Sequence, residues 1–340
     1  MNRLVRLLHD RVVVGLLSAV GLLVLLGQLF IWYPRYALHP PAPDDGLDFR
    51  IYQRAAARAV QGLTPYESCA HAPEAPPGCL LYPPPFAAAI APAGHLSPAT
   101  FQKGAYLVLL VAFWAYAAGL VKLARGQVRL SETLIAGVVL FVTPGLNITM
   151  SLGNLDVVVW ALVAWGLATE AALPLLVVAA AFKIWPAISL AVLVVARPSR
   201  LRPAILTTTF LFAATVGVLG LASFRDWRAL AVPGLQAGTL RATNVSVVAV
   251  LGRLGIAMPT PLQTVLPIAA ALAIWVALRK QSERLRASLC GVAAMICAPI
   301  CWWKYAPILL IPLAVWISGL DLAEVAAVSG ANHARRRAAR

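Results

Sequence analysis

Carboxylates are scarce in this chain: thirteen Asp and Glu stand against twenty-eight Lys and Arg in 340 residues. A proton-accepting group must come from a short list. Asp44, Asp45, Asp48, Glu67 and Glu74 lie in a polar stretch between Tyr33 and Tyr82, and Asp156 and Asp226 follow further along. Asp48 opens the run DFRIYQRAAARAVQGLTPYE. There Phe49, Tyr52, Ala56, Ala59 and Val60 recur at helical spacing, while Arg50, Arg54 and Arg58 recur every fourth residue on another face. The pattern predicts an amphipathic helix at the edge of a bilayer, its arginines at headgroup level. Asp48 then has two roles open to it, N-cap of that helix and general base facing a substrate. The two are compatible, because a capping carboxylate stays ionised.

The cations are as selective in their placing as the acids. Lys183 interrupts an apolar run at AFKIWP, where a lysine costs about 3 kcal/mol unless it snorkels or finds an anion. Its own segment holds no acid, so an anionic ligand is one partner for it and snorkelling is the other reading. Lys304 in CWWKYAP falls at a tight turn between two apolar segments, where Trp302, Trp303 and Tyr305 read as an interfacial belt. Glu67 and Glu74 read as solvated, Asp226 as a loop charge beside Arg225 and Arg228, and Asp156 as a helix-start residue with a lesser claim on catalysis. A base facing cations that can receive a phosphate is the chemistry these residues suit. No His/Cys spacing resembles a metal site, and no cofactor is implied.

The elements that must hold these groups are membrane helices. The chain is 61% hydrophobic, 12% charged and has a mean hydropathy of +0.80. Apolar runs fall at about 12–32, 83–97, 103–123, 131–149, 154–169, 171–196, 203–223, 262–279, 286–303 and 305–319. They are continuous and rich in Leu, Ala and Val, which excludes a β-barrel. The expected fold is all-α, a polytopic bundle of about nine or ten transmembrane or half-membrane helices. Residues 1–323 form one integral-membrane domain, with extracytoplasmic loops at 33–102 and 224–261 and a basic cytoplasmic tail at 324–340. A net charge of +15 marks cytoplasmic span ends in such a chain, and nucleic acid is not an expected partner.

Charge placement gives one topology. Segment 12–32 reads as a retained anchor, with Arg3, Arg6 and Arg11 inside. Segment 83–97 carries Pro83, Pro84, Pro85 and Pro92, with Pro98 just after it, and reads as a non-crossing re-entrant or interfacial helix, which keeps Lys122, Arg125 and Arg129 inside. Segment 171–196 must then enter and leave on the cytoplasmic side, as two half-length helices joined near Pro186. Both termini are cytoplasmic. Arg50, Arg54, Arg58, Lys183, Arg225, Arg228, Arg241, Arg253 and Lys304 are left outside or at mid-membrane, where anion binding would explain them. Cys69 and Cys79 flank a short loop of the insert; outside the cytoplasm a disulfide between them is open. Cys290, Cys297 and Cys301 read as small core residues.

DFRIYQRAAARAVQGLTPYE, LYPPPFAAAIAP, SLGNLD, AFKIWP, ATNVSVVAVLGRLG and APICWWKYAP follow one another in that order. Together, over roughly residues 12–320, they resemble glycosyltransferase family 87, integral-membrane mannosyltransferases of the GT-C superfamily. The resemblance implies a GT-C bundle, a polyprenyl-phosphate sugar donor (commonly mannose) and an inverting mechanism at the outer face of the cytoplasmic membrane. The acceptor would be a lipid-linked or cell-envelope glycan, with membrane lipids as surroundings. It assigns the base to Asp48 and the donor phosphate to Lys183, Arg253 and Lys304. Tyr52, Tyr82, Asn154, Asn244, Ser246, Trp302 and Tyr305 are the implied substrate-binding residues. The family pattern more often has Gln where Asn154 stands, and often has His where Lys304 stands. A transporter or flippase for an anionic lipid or solute would use the same cations without a base, and stays open as an alternative.

Overall fold

The computed structural model describes residues 11–38, 46–70, 79–143, 145–233, 243–256 and 258–319. The basic tail 324–340, Arg3, Arg6, Asp44, Asp45, Glu74 and Arg241 lie outside these residues. Among the described residues the secondary structure is helical, apart from an isolated β-bridge between Asn244 and Trp302. In chain order the helices are α1 (Arg11–Gly27, continuing to Leu38), α2 (Leu47–Val60), α3 (Pro84–Ile90), α4 (Pro98–Arg125) and α5 (Leu130–Val142). There follow α6 (Leu146–Ser151), α7 (Asp156–Ala168), α8 (Leu173–Phe182), α9 (Pro186–Ala196) and α10 (Leu201–Leu219). The last four are α11 (Val247–Arg253), α12 (Thr260–Ala277), α13 (Glu283–Cys297) and α14 (Trp303–Gly319). Helix α14 opens as a 3-10 turn over Trp303–Leu309.

Four of these helical stretches, Val12–Leu38, Pro98–Arg125, Pro198–Leu219 and Thr260–Ala277, are long and apolar enough to cross a membrane. The chain is an all-α polytopic membrane bundle. Its centre is the packing of α4 on α7, where Leu109, Phe113 and Tyr116 meet Val157, Trp160 and Val163 with almost no exposure. Helices α1, α10 and α12 sit at the periphery and turn Leu, Val, Ile and Phe side chains outward. Hydrocarbon as the surrounding solvent removes the penalty this would carry in water.

Two apolar runs break where chemistry is expected. The run at 131–149 is not one helix: α5 ends at Val142, and α6 restarts after Gly145. Gly145 takes φ +90°, and a Cβ there would lie 2.5 Å from Lys304 Cα, so the break lets the Lys304 backbone approach. The run at 171–196 breaks at Lys183, which is extended (φ −139°, ψ 135°), and Pro186 then opens α9. The halves fold back on each other. Glu170, just before α8, ion-pairs with Arg197 and Arg200, just after α9. The outer ends of the hairpin therefore share one place, and Lys183 stands at its tip.

The 83–97 segment forms α3 and a 3-10 turn, Ala91–His95, which pack against α2. Helix α3 also lies against α8 and α10. Cys69 and Cys79 are joined in a disulfide.

Candidate functional site

The tip of the α8–α9 hairpin meets the start of α2, the turn between α6 and α7, and the start of α14. The α2 start is held by backbone. The N–H groups of Gly46 and Asp48 donate to the carbonyls of Ser151 (2.8 Å) and Leu152 (2.9 Å), and the Tyr106 hydroxyl also donates to Ser151 O (2.9 Å). Gly153 follows at φ +75°, where a Cβ would lie 2.7 Å from the Phe49 ring. A side chain there would push α2 away.

These bonds correct one expectation. Helix α2 starts at Leu47 with Gly46 as its N-cap, and no side chain caps it. The helix begins before Asp48, which stands inside its first turn, and the Arg50 N–H that an Asp48 cap would take already donates to Gly46 O (3.1 Å). The Asp48 side chain is thereby released from capping and turns into the cluster. The apolar stripe of α2 is also shifted: Phe49, Tyr52 and Ala56 are buried together with Ile51 and Ala55, whereas Val60 is exposed.

Asp48 accepts a hydrogen bond from the Asn154 side chain, and its Oδ2 is sealed from solvent with no hydrogen-bond partner among the described residues. Burial pushes the carboxyl above the ordinary aspartate value, and the nearby Asp156 adds to the rise. The charge of Lys304, the Asn154 bond and the charge of Lys183 pull the other way. Asn154 is the hub of this corner. Its Oδ1 accepts from the Tyr82 hydroxyl (3.2 Å) and from the Asp156 N–H (2.9 Å). The Tyr52 hydroxyl donates to the Tyr82 oxygen (3.2 Å), and the two rings meet edge to face at 5.5 Å.

Lys183 reaches into the same space from the hairpin tip. Its Nζ pairs with Asp156 Oδ1, donates to the Tyr305 hydroxyl (3.2 Å) and lies 5.1 Å and 4.6 Å from the Tyr82 and Tyr305 ring centres. Asp156 is 1% exposed, and its Oδ2 has no hydrogen-bond partner among the described residues. Lys304 precedes Tyr305, with its carbonyl accepting a long bond from Thr149 Oγ1 (3.4 Å). The result is a pair of carboxylates and a pair of lysines between tyrosine walls.

Asn244, Ser246, Arg253 and Trp302 belong to the stretch that leads into Lys304. The Asn244 side chain donates to Pro299 O (2.8 Å) and accepts from the N–H groups of Ser246 (3.1 Å) and Cys301 (2.9 Å). Ser246 Oγ donates to Pro299 O (3.1 Å) and caps α11 at Ala249 N (3.1 Å). Arg253 donates to Asn244 O (2.8 Å). These bonds fix the 299–302 backbone that leads into Lys304. Asn244 and Ser246 are fully buried in it.

The structure thus brings Asp48, Tyr52, Tyr82, Asn154, Lys183, Lys304 and Tyr305 together and ties Asn244, Ser246, Arg253 and Trp302 into the stretch that leads to Lys304. The sequence reading missed Asp156 as the partner of Lys183, because it looked for an acid within the lysine's own segment. The available signal was complementary: an intramembrane lysine calls for a counter-charge, and Asp156 is the rare carboxylate that opens an apolar run.

No curated protein and no solved structure matches the chain. The model of glycosyltransferase family 87 matches residues 80–299, taking in Tyr82, Asn154, Asp156, Lys183, Asn244, Ser246 and Arg253. It stops short of Asp48 on one side and Lys304 on the other, and the fold carries both back to the matched residues. With most of its length matched, the chain belongs to glycosyltransferase family 87.

Proposed function

We propose that this glycosyltransferase moves a sugar, with mannose the first candidate, from a polyprenyl-phosphate donor to a lipid-linked or cell-envelope glycan acceptor, with inversion. The observation that carries the reading is the carboxyl of Asp48, half-buried, with its Oδ2 lacking a hydrogen-bond partner among the described residues, beside the charges of Lys304 and Lys183. Asp48 takes the proton of the acceptor hydroxyl, and the hydroxyl oxygen attacks the anomeric carbon. The bond from that carbon to the phosphate oxygen breaks, and polyprenyl phosphate leaves with the electron pair. A carboxyl raised from its ordinary value is a better proton acceptor near neutrality than a solvated aspartate. Lys183 and Lys304 stabilise the charge that grows on the departing phosphate, and Arg253 joins them. Tyr52, Tyr82, Tyr305 and Trp302 form the walls for the sugar, Asn154 sets the base, and Asn244 and Ser246 hold the 299–302 backbone.

The proposal includes a GT-C arrangement with the site at the extracytoplasmic face and both termini in the cytoplasm. In support, the α8–α9 hairpin returns to the end where Arg197, Arg200 and Arg202 gather, as cytoplasmic residues do. The Cys69–Cys79 disulfide belongs to an oxidising compartment. The test is to supply purified full-length protein with a panel of polyprenyl-phosphate sugars and a glycolipid extract, and to identify the product by mass. Transfer from a polyprenyl-phosphate sugar with anomeric inversion is expected. Transfer from nucleotide sugars alone, or wild-type turnover by Asp48→Asn, would overturn the reading.

A further inference from the structure

Lys183 is the cation best placed to meet a phosphate, yet in this structure its ammonium already has an anion, Asp156. The two partners differ in freedom. Asp156 opens α7, and its own N–H is tied to Asn154 Oδ1 at 2.9 Å, so the carboxylate is anchored. Lys183 lies at the extended break between α8 and α9, and its four-carbon stem lets the ammonium swing. The unpartnered Asp156 Oδ2 is a buried acceptor with capacity to spare. An incoming phosphate that engages Lys183 must therefore exchange with a carboxylate already paired to it.

We propose that Asp156 is a positioning residue that competes with the lipid phosphate for Lys183, so that the site releases its phosphate product instead of retaining it. The inference rests on the phosphate-bearing donor proposed above. The donor is a phosphodiester carrying one negative charge. The product is a phosphomonoester, whose second ionisation lies near pH 6 and gives it more charge at neutrality. A site of lysines alone would therefore hold the product more tightly than the donor. With Asp156 anchored beside it, the ammonium passes from carboxylate to phosphate on binding and back to the carboxylate on release. No bond is made or broken in the exchange. The vacated carboxylate accepts a hydrogen bond from a sugar hydroxyl while the donor is present.

The experiment measures binding of polyprenyl phosphate itself to the purified full-length protein, with steady-state kinetics alongside. Asp156→Asn is expected to bind polyprenyl phosphate at least about ten-fold more tightly than wild type and to turn over more slowly at saturating donor. Adding Lys183→Met should abolish the gain. Tighter binding is not a consequence of misfolding, which separates this role from that of a helix-start residue. Asp156→Ser places a small neutral hydroxyl at the first position of α7, removes the charge and carries the same expectation if the Asn variant does not fold. If wild type binds polyprenyl phosphate but neither variant binds it more tightly, the competition is overturned and the proposed donor class stands. If wild type binds no polyprenyl phosphate, the donor class is overturned and this inference goes with it.

Discussion

The two ends of the α8–α9 hairpin handle charge in opposite ways. At the base, Arg200 bonds both Glu170 (3.0 Å) and Glu283 (2.7 Å), and Arg197 reaches the same two acids. Glu170 and Arg197 are more than half exposed, so water completes what the pairs leave open. At the tip, Asp48 and Asp156 meet lysines instead of arginines, and each keeps a buried oxygen without a partner among the described residues. A planar guanidinium fork locks onto a carboxylate, whereas an ammonium on a flexible stem can change partners. The base is satisfied and so acts as a fastening. The tip is left short of hydrogen bonds, which is the condition a reacting group needs.

The sharpest way to break this contrast is Asp48→Asn. Turnover should fall by about 10²–10⁴-fold, read as product formed from a polyprenyl-phosphate sugar. Stability should move the other way. A folded pKa raised above the unfolded one means that folding carries a penalty, absent below the unfolded value and fully present above the folded one. The amide removes that penalty, so the variant's melting temperature at neutral pH should exceed that of wild type. A loss of both activity and stability would make Asp48 a structural residue.

Next in size is Lys183→Met, with a fall of about 10²–10³-fold in kcat. It should also destabilise, because Asp156 is left as an unpaired buried charge. The Lys183→Met/Asp156→Asn pair should regain the melting temperature without regaining turnover. Recovery of turnover by the pair would mean that Lys183 serves only to neutralise Asp156. Lys304 offers a subtler probe. Its charge holds the Asp48 carboxyl down against burial, so Lys304→Met should shift the acid limb of kcat/KM to higher pH. An unmoved limb would exclude Asp48 as the titrating base.

At the base, Glu283→Gln should cost about 1–3 kcal/mol of stability and leave turnover within a few-fold of wild type. Burial raises the Glu283 pKa, but its bond to Arg200 and the charges of Arg200 and Arg197 outweigh this, and the net direction is downward. A depressed folded pKa contributes stability above the ordinary glutamate value and loses it as pH falls through the depressed one. The wild-type melting temperature should therefore drop in acid more than that of Glu283→Gln. A large loss of turnover in this variant would mean that the base steers the tip.

The sequence carried the class of the fold and the cast of the site further than it carried their relations. Hydropathy marked the apolar runs, Pro186 marked the hairpin, and the spacing of Phe49, Tyr52 and Ala56 marked the inner face of α2, because each is a local pattern. The Lys183–Asp156 pair joins residues from different helices, and no periodicity in either segment records it. The helix start failed for the same reason. Asp48 has the chemistry of an N-cap, but the helix starts one residue earlier, at Leu47, where Ser151 and Leu152, about a hundred residues on, anchor the Gly46 and Asp48 N–H groups. The break at Gly145 was hidden too, since Lys304 is what needs the space.

The smallest effect on turnover should come from the disulfide, and it sharpens where the tip ends. Residues 79–82 deliver Tyr82 to the site and are fastened in more than one way. The Tyr66 hydroxyl donates to Tyr82 O (3.1 Å), Trp227 Nε1 donates to Leu81 O (3.2 Å), and Leu80 is buried. Cys69–Cys79 closes this stretch on α2's side but is one fastening among several. The double variant Cys69→Ser/Cys79→Ser should lose about 2–3 kcal/mol of stability, chiefly through the freer unfolded chain. Below its melting temperature it should keep turnover within about three-fold of wild type, since the hydrogen bonds that aim Tyr82 remain. A ten-fold fall in a variant that still melts cooperatively would extend the under-satisfied tip outward to the disulfide. Tyr82 would then be aimed by a covalent brace instead of by Tyr66 and Trp227.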